Sequence, residues 1–177
     1  KNASETINTN GETLIYNNVK EPTKEKVAYN YLTIPNGGQF FVTLSDGTKV
    51  WLNSATKLKY PEKFIKNEPR IVELVYGEAY FDVTPSTQNN GSTFKVISKR
   101  QSIEVLGTAF NVKDYLDETA TYTTLVEGKV ALTYNQNKEV LLPNQQAIVN
   151  PNLNKITLKN VDVNNEISWK DGVFSFK

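Results

Sequence analysis

The chain has 177 residues, enough for one large domain or two small ones, and a fold of that length buries roughly 70% of the surface its unfolded form exposes. Its 20 basic and 19 acidic residues leave a net charge of +1, so no global field draws in nucleic acid or an anionic membrane. Histidine and cysteine are both absent, which excludes thiol nucleophiles, Ser-His-Asp triads, imidazole bases and the usual zinc sites, and with them most enzyme classes.

Enrichment in asparagine, threonine, valine and aromatic residues favours strands and turns. No run approaches the roughly 18 apolar residues of a membrane span, and the first residues, KNASETINTNGET, lack the apolar core of a signal peptide. Methionine is missing even at position 1, which points to a piece of a longer translated protein.

In chain order, residues 1–26 are polar apart from Leu14, Ile15 and Tyr16, and read as a linker or a lightly attached first strand. From Val27 onward short β-branched and aromatic runs alternate with turn signals such as PNGG, SDG, TPSTQNNGS, YNQNK and NPNLNK. In QFFVTLSDGTKVWLN, Phe40, Val42, Leu44, Val50 and Leu52 share one parity, so the segment reads as a hairpin with one core face. Asp46 and Gly47 would supply the two positive-φ positions of a type I′ turn, and Trp51 faces the other way, either exposed or under a second layer. Pro61 offers one turn of helix within residues 54–67, which Pro69 soon ends.

The glycines organise the remainder. Gly47, Gly77 and Gly107 are spaced thirty residues apart, and Gly128 follows. ELVYGEAYFDV and IEVLGTAFNVK share a frame in which apolar parity reverses at the glycine: Val72, Leu74 and Tyr76 give way to Ala79, Phe81 and Val83, and Ile103 and Val105 to Thr108, Phe110 and Val112. A strand keeps its faces by a period of two, so each reversal predicts a bulge or corner. The expected fold is all-β, with twisted, stacked sheets in a sandwich or a β-solenoid-like coil, short glycine-marked corners and little helix.

Chemical candidates are few. Glu78 and Asp82 share a strand face, but four residues at about 3.3 Å each place them roughly 13 Å apart, beyond the roughly 5–9.5 Å of a glycosidase pair. Lys57, Lys59, Lys63, Lys66 and Arg70, interleaved with Tyr60 and Phe64, suggest a nucleic-acid strip, yet Glu62 and Glu68 interrupt it and a solvated face explains it better. Gly128-Lys129 lacks the phosphate-loop spacing, and Asp114, Asp117 and Glu118 lack the calcium-loop pattern and read as a turn. Trp51, Trp169 and the tyrosines leave open an extracellular carbohydrate-binding module, with core packing as the ordinary alternative.

Together, TLSDGTKVWLNSATKLKYP, RIVELVYGEAYFDV, TFKV, IEVLGTAFNVKDY, TTLVEGKVALT, VLLPNQQAIV and WKDGVFSFK resemble the FecR family of anti-sigma factors, in its Bacteroidetes form, from about Tyr31 to Lys177. The resemblance implies a non-enzymatic periplasmic signalling domain, without cofactor or metal, of a regulator tethered to the inner membrane by an N-terminal helix not included in this sequence. Its implied partners are the N-terminal signalling domain of a TonB-dependent transporter, engaged mainly by a C-terminal domain beyond this sequence, and an extracytoplasmic-function (ECF) sigma factor, held by a cytoplasmic part. Residues 1–26 would be the juxtamembrane linker, 27–166 the all-β domain, and 167–177 the first strand of an α/β domain similar to secretin and TonB short N-terminal domains. The matching motif residues, all read as structural, are Asp46, Gly47, Trp51, Asn53, Gly77, Glu78, Phe81, Gly107, Thr108, Phe110, Gly128 and Trp169.

Overall fold

The computed structural model describes residues 7–10, 13–16 and 27–171. Strands β1 (Ile7–Asn10) and β2 (Thr13–Tyr16) pair antiparallel as a ribbon of their own, separate from the main sheet. The rest of the proposed linker lies outside the described residues.

Thirteen strands make the body: β3 (Tyr29–Ile34), β4 (Phe40–Thr43), β5 (Lys49–Leu52), β6 (Thr56–Pro61), β7 (Arg70–Asp82), β8 (Phe94–Ser98), β9 (Ser102–Val105), β10 (Ala109–Asp114), β11 (Thr121–Glu127), β12 (Val130–Tyr134), β13 (Asn137–Leu141), β14 (Gln145–Asn150) and β15 (Lys155–Asn160). They form one continuous sheet folded into two layers. Layer I has the order β3-β6-β7-β8-β9-β12-β13 and layer II the order β4-β5-β7-β10-β11-β14-β15. Strand β7 belongs to both, pairing through its first half with β6 and β8 and through its second half with β5 and β10.

Alternation writes this architecture. Arg70, Val72 and Leu74 are buried in layer I, and Ala79, Phe81 and Val83 in layer II, so the parity reversal at Gly77 is where β7 passes from one layer to the other. The layers meet in a shared core in which Phe81 of layer II lies 6.3 Å from Phe94 of layer I and stacks at 5.2 Å on Phe110. Gly77 has φ +104°, and a Cβ added there would lie 2.5 Å from Thr56 Cα. Only a residue without a side chain permits that crossing.

The thirty-residue frame does not stack, so the fold is the sandwich rather than the solenoid-like coil. Gly77 pairs with Asp114, whereas Ala109, which follows Gly107 by two residues, pairs with Asp82 at the opposite end of the layer. Glu127, just before Gly128, also pairs with Ala109. Gly107 and Gly128 therefore share one end and Gly77 occupies the other. A Cβ on Gly128 would approach the Gly107 carbonyl oxygen to 2.9 Å, so these two corners pack directly together.

Two local expectations are corrected. In the β4–β5 hairpin only Gly47 has positive φ, and Leu44 N donates to Thr48 O across three intervening residues. Asp46 instead uses its carboxylate to accept from Thr48 N and Thr48 Oγ1, which stabilises a wider turn than type I′. Pro61 opens no helix: it ends β6 opposite Tyr29, and residues 62–69 form an irregular loop.

Candidate functional site

The outer face of layer II carries the densest polar and aromatic arrangement. Phe41, Trp51 and Tyr80 come from β4, β5 and β7 in register, with ring centroids 4.8 Å apart for the first pair and 5.5 Å for the second. Next to them on β7, Glu78 is buried, with Oε2 accepting from Asn53 Nδ2 at 2.8 Å and Oε1 from Asn111 Nδ2 at 2.9 Å. Asn53 also donates its backbone N–H to the Glu78 carbonyl. Further across, Gln146 donates to Thr124 Oγ1 at 2.8 Å, and both are buried.

Part of this outer face, from Gln146 to Trp51 and Tyr80, is covered because the chain returns over it. Helix α1 (Val163–Ile167), capped by the Asp162 side chain, leads into a 3-10 turn at Ser168–Asp171, and together they lie as a strap on this face. Gln146 Nε2 donates to Glu166 Oε2 at 2.9 Å, and Gln39 Nε2 to the Trp169 carbonyl at 3.0 Å. The Lys170 ammonium sits 5.1 Å above the Trp51 ring and 5.4 Å above that of Tyr80, within cation–π range. Thus Trp51 is covered by the strap instead of presented as a sugar platform. Trp169, Lys170 and Asp171 are helical where a first strand was expected, and residues 172–177 lie outside the described residues.

Electrostatics on this face follow burial. Enclosure pushes the Glu78 carboxyl above the usual carboxylate range, and the amides of Asn111 and Asn53, then the charge of Lys113, pull partly against it. Tyr115, whose hydroxyl donates to the Ser54 carbonyl at 2.8 Å, is pushed up to about 12 by burial and by the nearby Glu78 charge. Burial acts to lower Lys113, but its hydrogen bond and charge interaction with Glu118, with help from Glu78, leave it raised. Tyr80 is raised by burial and then by Asp82, Asp171 and Glu127. Among the described residues the Glu78 carboxylate hydrogen-bonds to the two amides and to no acid or base, and the clasp ties the residue that follows β5 to β7 and β10. Asp82 is exposed and takes no part.

The other motif residues fall into three groups. Asp46 and Gly47 form the turn bound by Arg70, whose Nη1 donates to Asp46 Oδ2 at 2.6 Å and whose Nη2 donates to Ser92 O. Phe81 and Phe110 are the stacked core pair. Thr108 joins the Gly107 and Gly128 corners, since its Oγ1 donates to Lys129 O and its carbonyl accepts from Val83 N.

Arg70 corrects the solvated-strip reading: it is 2% exposed, while Lys63 and Lys66 of the same run are exposed. The signal was available, because Arg70 shares parity with the core residues Val72 and Leu74. Asn111 and Gln146 carry no such signal, since their side of the sheet is opposite the core, and what encloses them is Glu78 for the first and the strap's Glu166 for the second. The acids of KDYLDET are accounted for by cations in part: Asp114 accepts from Arg100 at 2.7 Å and Glu118 pairs with Lys113 at 2.6 Å.

The family model described as FecR protein matches residues 30–131. Two crystal structures of a candidate anti-sigma factor from Parabacteroides distasonis ATCC 8503 are similar to this chain: one at 34% identity and TM-score 0.74 over 80% of this chain, the other at 35% and 0.73 over 79%. The chain spans 64% of the length of each of those proteins. No curated protein matches it. The family match takes in the β7 crossing, the Gly107 and Gly128 corners, the Arg70–Asp46 pair and the Glu78 clasp, and the chain belongs to the FecR family.

Proposed function

We propose that this chain is the periplasmic signalling domain of a membrane-anchored anti-sigma factor, relaying the state of a TonB-dependent outer-membrane transporter to an ECF sigma factor. Membership of the FecR family carries the reading, and the anti-sigma description of the similar Parabacteroides structures supports it. The domain acts by binding and shape, not by catalysis: Glu78, the buried outer-face carboxylate among the described residues, is locked between two amides.

The strap supplies the mechanical part. A C-terminal domain engaged by the transporter would pull on or release residues 163–171, which hold the outer face of layer II through Trp169, Lys170 and Glu166. The transporter contact itself belongs mainly to that C-terminal domain, and the sigma factor contact to a cytoplasmic part on the N-terminal side. In the bacterium of origin, deleting the full-length gene should uncouple the neighbouring sigma factor's regulon from transporter substrate, and the full-length gene, but not one lacking residues 27–171, should restore the response. A regulon that responds normally in the deletion strain would overturn the proposal.

A further inference from the structure

Three loops meet around the buried Arg70–Asp46 pair and enclose a cleft of about 350 Å³, a size that admits a small ligand. Ser45 and Asp46 come from the β4–β5 turn, Lys63 to Asn67 from the loop after β6, and Asn89, Asn90 and Ser92 from the segment before β8. The floor is rigid. Arg70 binds Asp46, the Thr84 carbonyl and hydroxyl, and the Ser92 carbonyl, so one guanidinium ties the first and third loops together. Phe64 packs edge-on at 6.0 Å against Phe94, which anchors the second loop to the core.

Charge selects the ligand class. Arg70 and Asp46 neutralise each other at the floor, while neither Lys63 nor Lys66 forms an ion pair among the described residues. Glu62 and Glu68 belong to the same loop but do not line this cleft. The lining therefore carries an excess of two positive charges. Arg70 Nε, buried and without a hydrogen-bond partner, adds an unsatisfied donor to a residue of the lining. Phe64 and Ile65 provide an apolar wall, and the amides of Asn67, Asn89 and Asn90 lie around the mouth. We propose that this cleft binds a small molecule bearing a carboxylate, with the acid group between Lys63 and Lys66 and its body against Phe64 and Ile65.

Two-dimensional amide NMR of the folded domain tests this with four probes: N-acetylglutamate and glucuronate as carboxylates from peptide and sugar sources, and N-acetylglutamine and glucose as their neutral counterparts. Up to about 10 mM, a ceiling suited to weak small ligands, at least one carboxylate should shift residues 63–67 and 89–92 together. Which acid binds identifies the source. The Lys63→Gln/Lys66→Gln variant, altered only at exposed positions, should keep the spectrum of the core and weaken binding about tenfold or more. Shifts of equal size with the neutral probes, shifts elsewhere, no shifts, or undiminished binding by a folded variant would each overturn the proposal.

Discussion

Arg70 Nη1 meets Asp46 Oδ2 at 2.6 Å with both side chains almost completely enclosed, at 2% and 3% exposure. The pair links the start of β7 to a hairpin turn 24 residues earlier, and Thr84 bonds to both partners. Asp46 thus serves as the counter-ion of a core cation besides shaping its own turn. Removing it leaves that cation buried and unpaired, so Asp46→Ala should cost about 3–5 kcal/mol, whereas Asp46→Ala combined with Arg70→Met should cost less than the sum of the two single changes. Urea unfolding of the three variants measures the difference; strict additivity would show that the pair does not act as a unit.

The layer crossing makes a graded prediction. Gly77→Ala places a methyl group 2.5 Å from Thr56 Cα as well as imposing a positive φ, and should destabilise by about 2–4 kcal/mol. Gly128→Ala, opposed by the Gly107 carbonyl oxygen at 2.9 Å, should cost about 1–3 kcal/mol. Gly91→Ala has positive φ but open space around it, so only the backbone penalty of about 1 kcal/mol applies. Thermal melts that fail to rank the three in this order would mean that the corners relax.

Sequence patterning carried the layer crossings because apolar parity is a local signal: Leu74 and Ala79 already disagree about which side is inside. Patterning missed the distance relations. Gly77 and Gly107 look equivalent by spacing, yet opposite ends of the sandwich receive them, because β7 and β9 run in opposite senses within layer I. The hairpin turn departs from type I′ for a related reason, since Asp-Gly chemistry does not reveal that the Asp46 carboxylate is engaged by Arg70 and Thr48. Glu78 and Trp51 are legible as an outer-face acid and ring, but the amides that enclose Glu78 come from Asn53 and Asn111, 25 and 33 residues away, and the cation over Trp51 comes from Lys170.

The strap should open independently of the core. None of residues 161–171 is fully buried, and among their fixings are the hydrogen bonds from Val161 N to Asn144 O, from Gln146 to Glu166 and from Gln39 to the Trp169 carbonyl, and the Lys170 cation over two rings. A peripheral segment in which no residue is fully buried opens at lower free energy than the core strands beneath it. Trp169→Ala should therefore speed hydrogen exchange across residues 163–171 and make Trp51, then the sole tryptophan, more accessible to acrylamide, with a change in melting temperature much smaller than that of Gly77→Ala. Slow exchange that persists in the variant would show that Trp169 is not the anchor.

Glu78 gives a pH dependence whose sign follows from its environment. Burial raises its carboxyl above the usual glutamate range, so the folded state holds the proton more tightly than the unfolded chain does. The stability this contributes is fully present below the unfolded value and is lost as pH rises through the folded value, where an ionised carboxylate must be kept in an enclosed site. Glu78→Gln removes that titration at nearly the same size, although its amide retains only one of the two oxygens that accept from Asn53 and Asn111. The melting temperature of the variant relative to the native chain should consequently be higher at pH 8 than at pH 4, whatever the constant offset from repacking the amide. Melts across that range decide the matter, and a difference that stays flat or reverses would mean that Asn53, Asn111 and Lys113 compensate the buried charge completely.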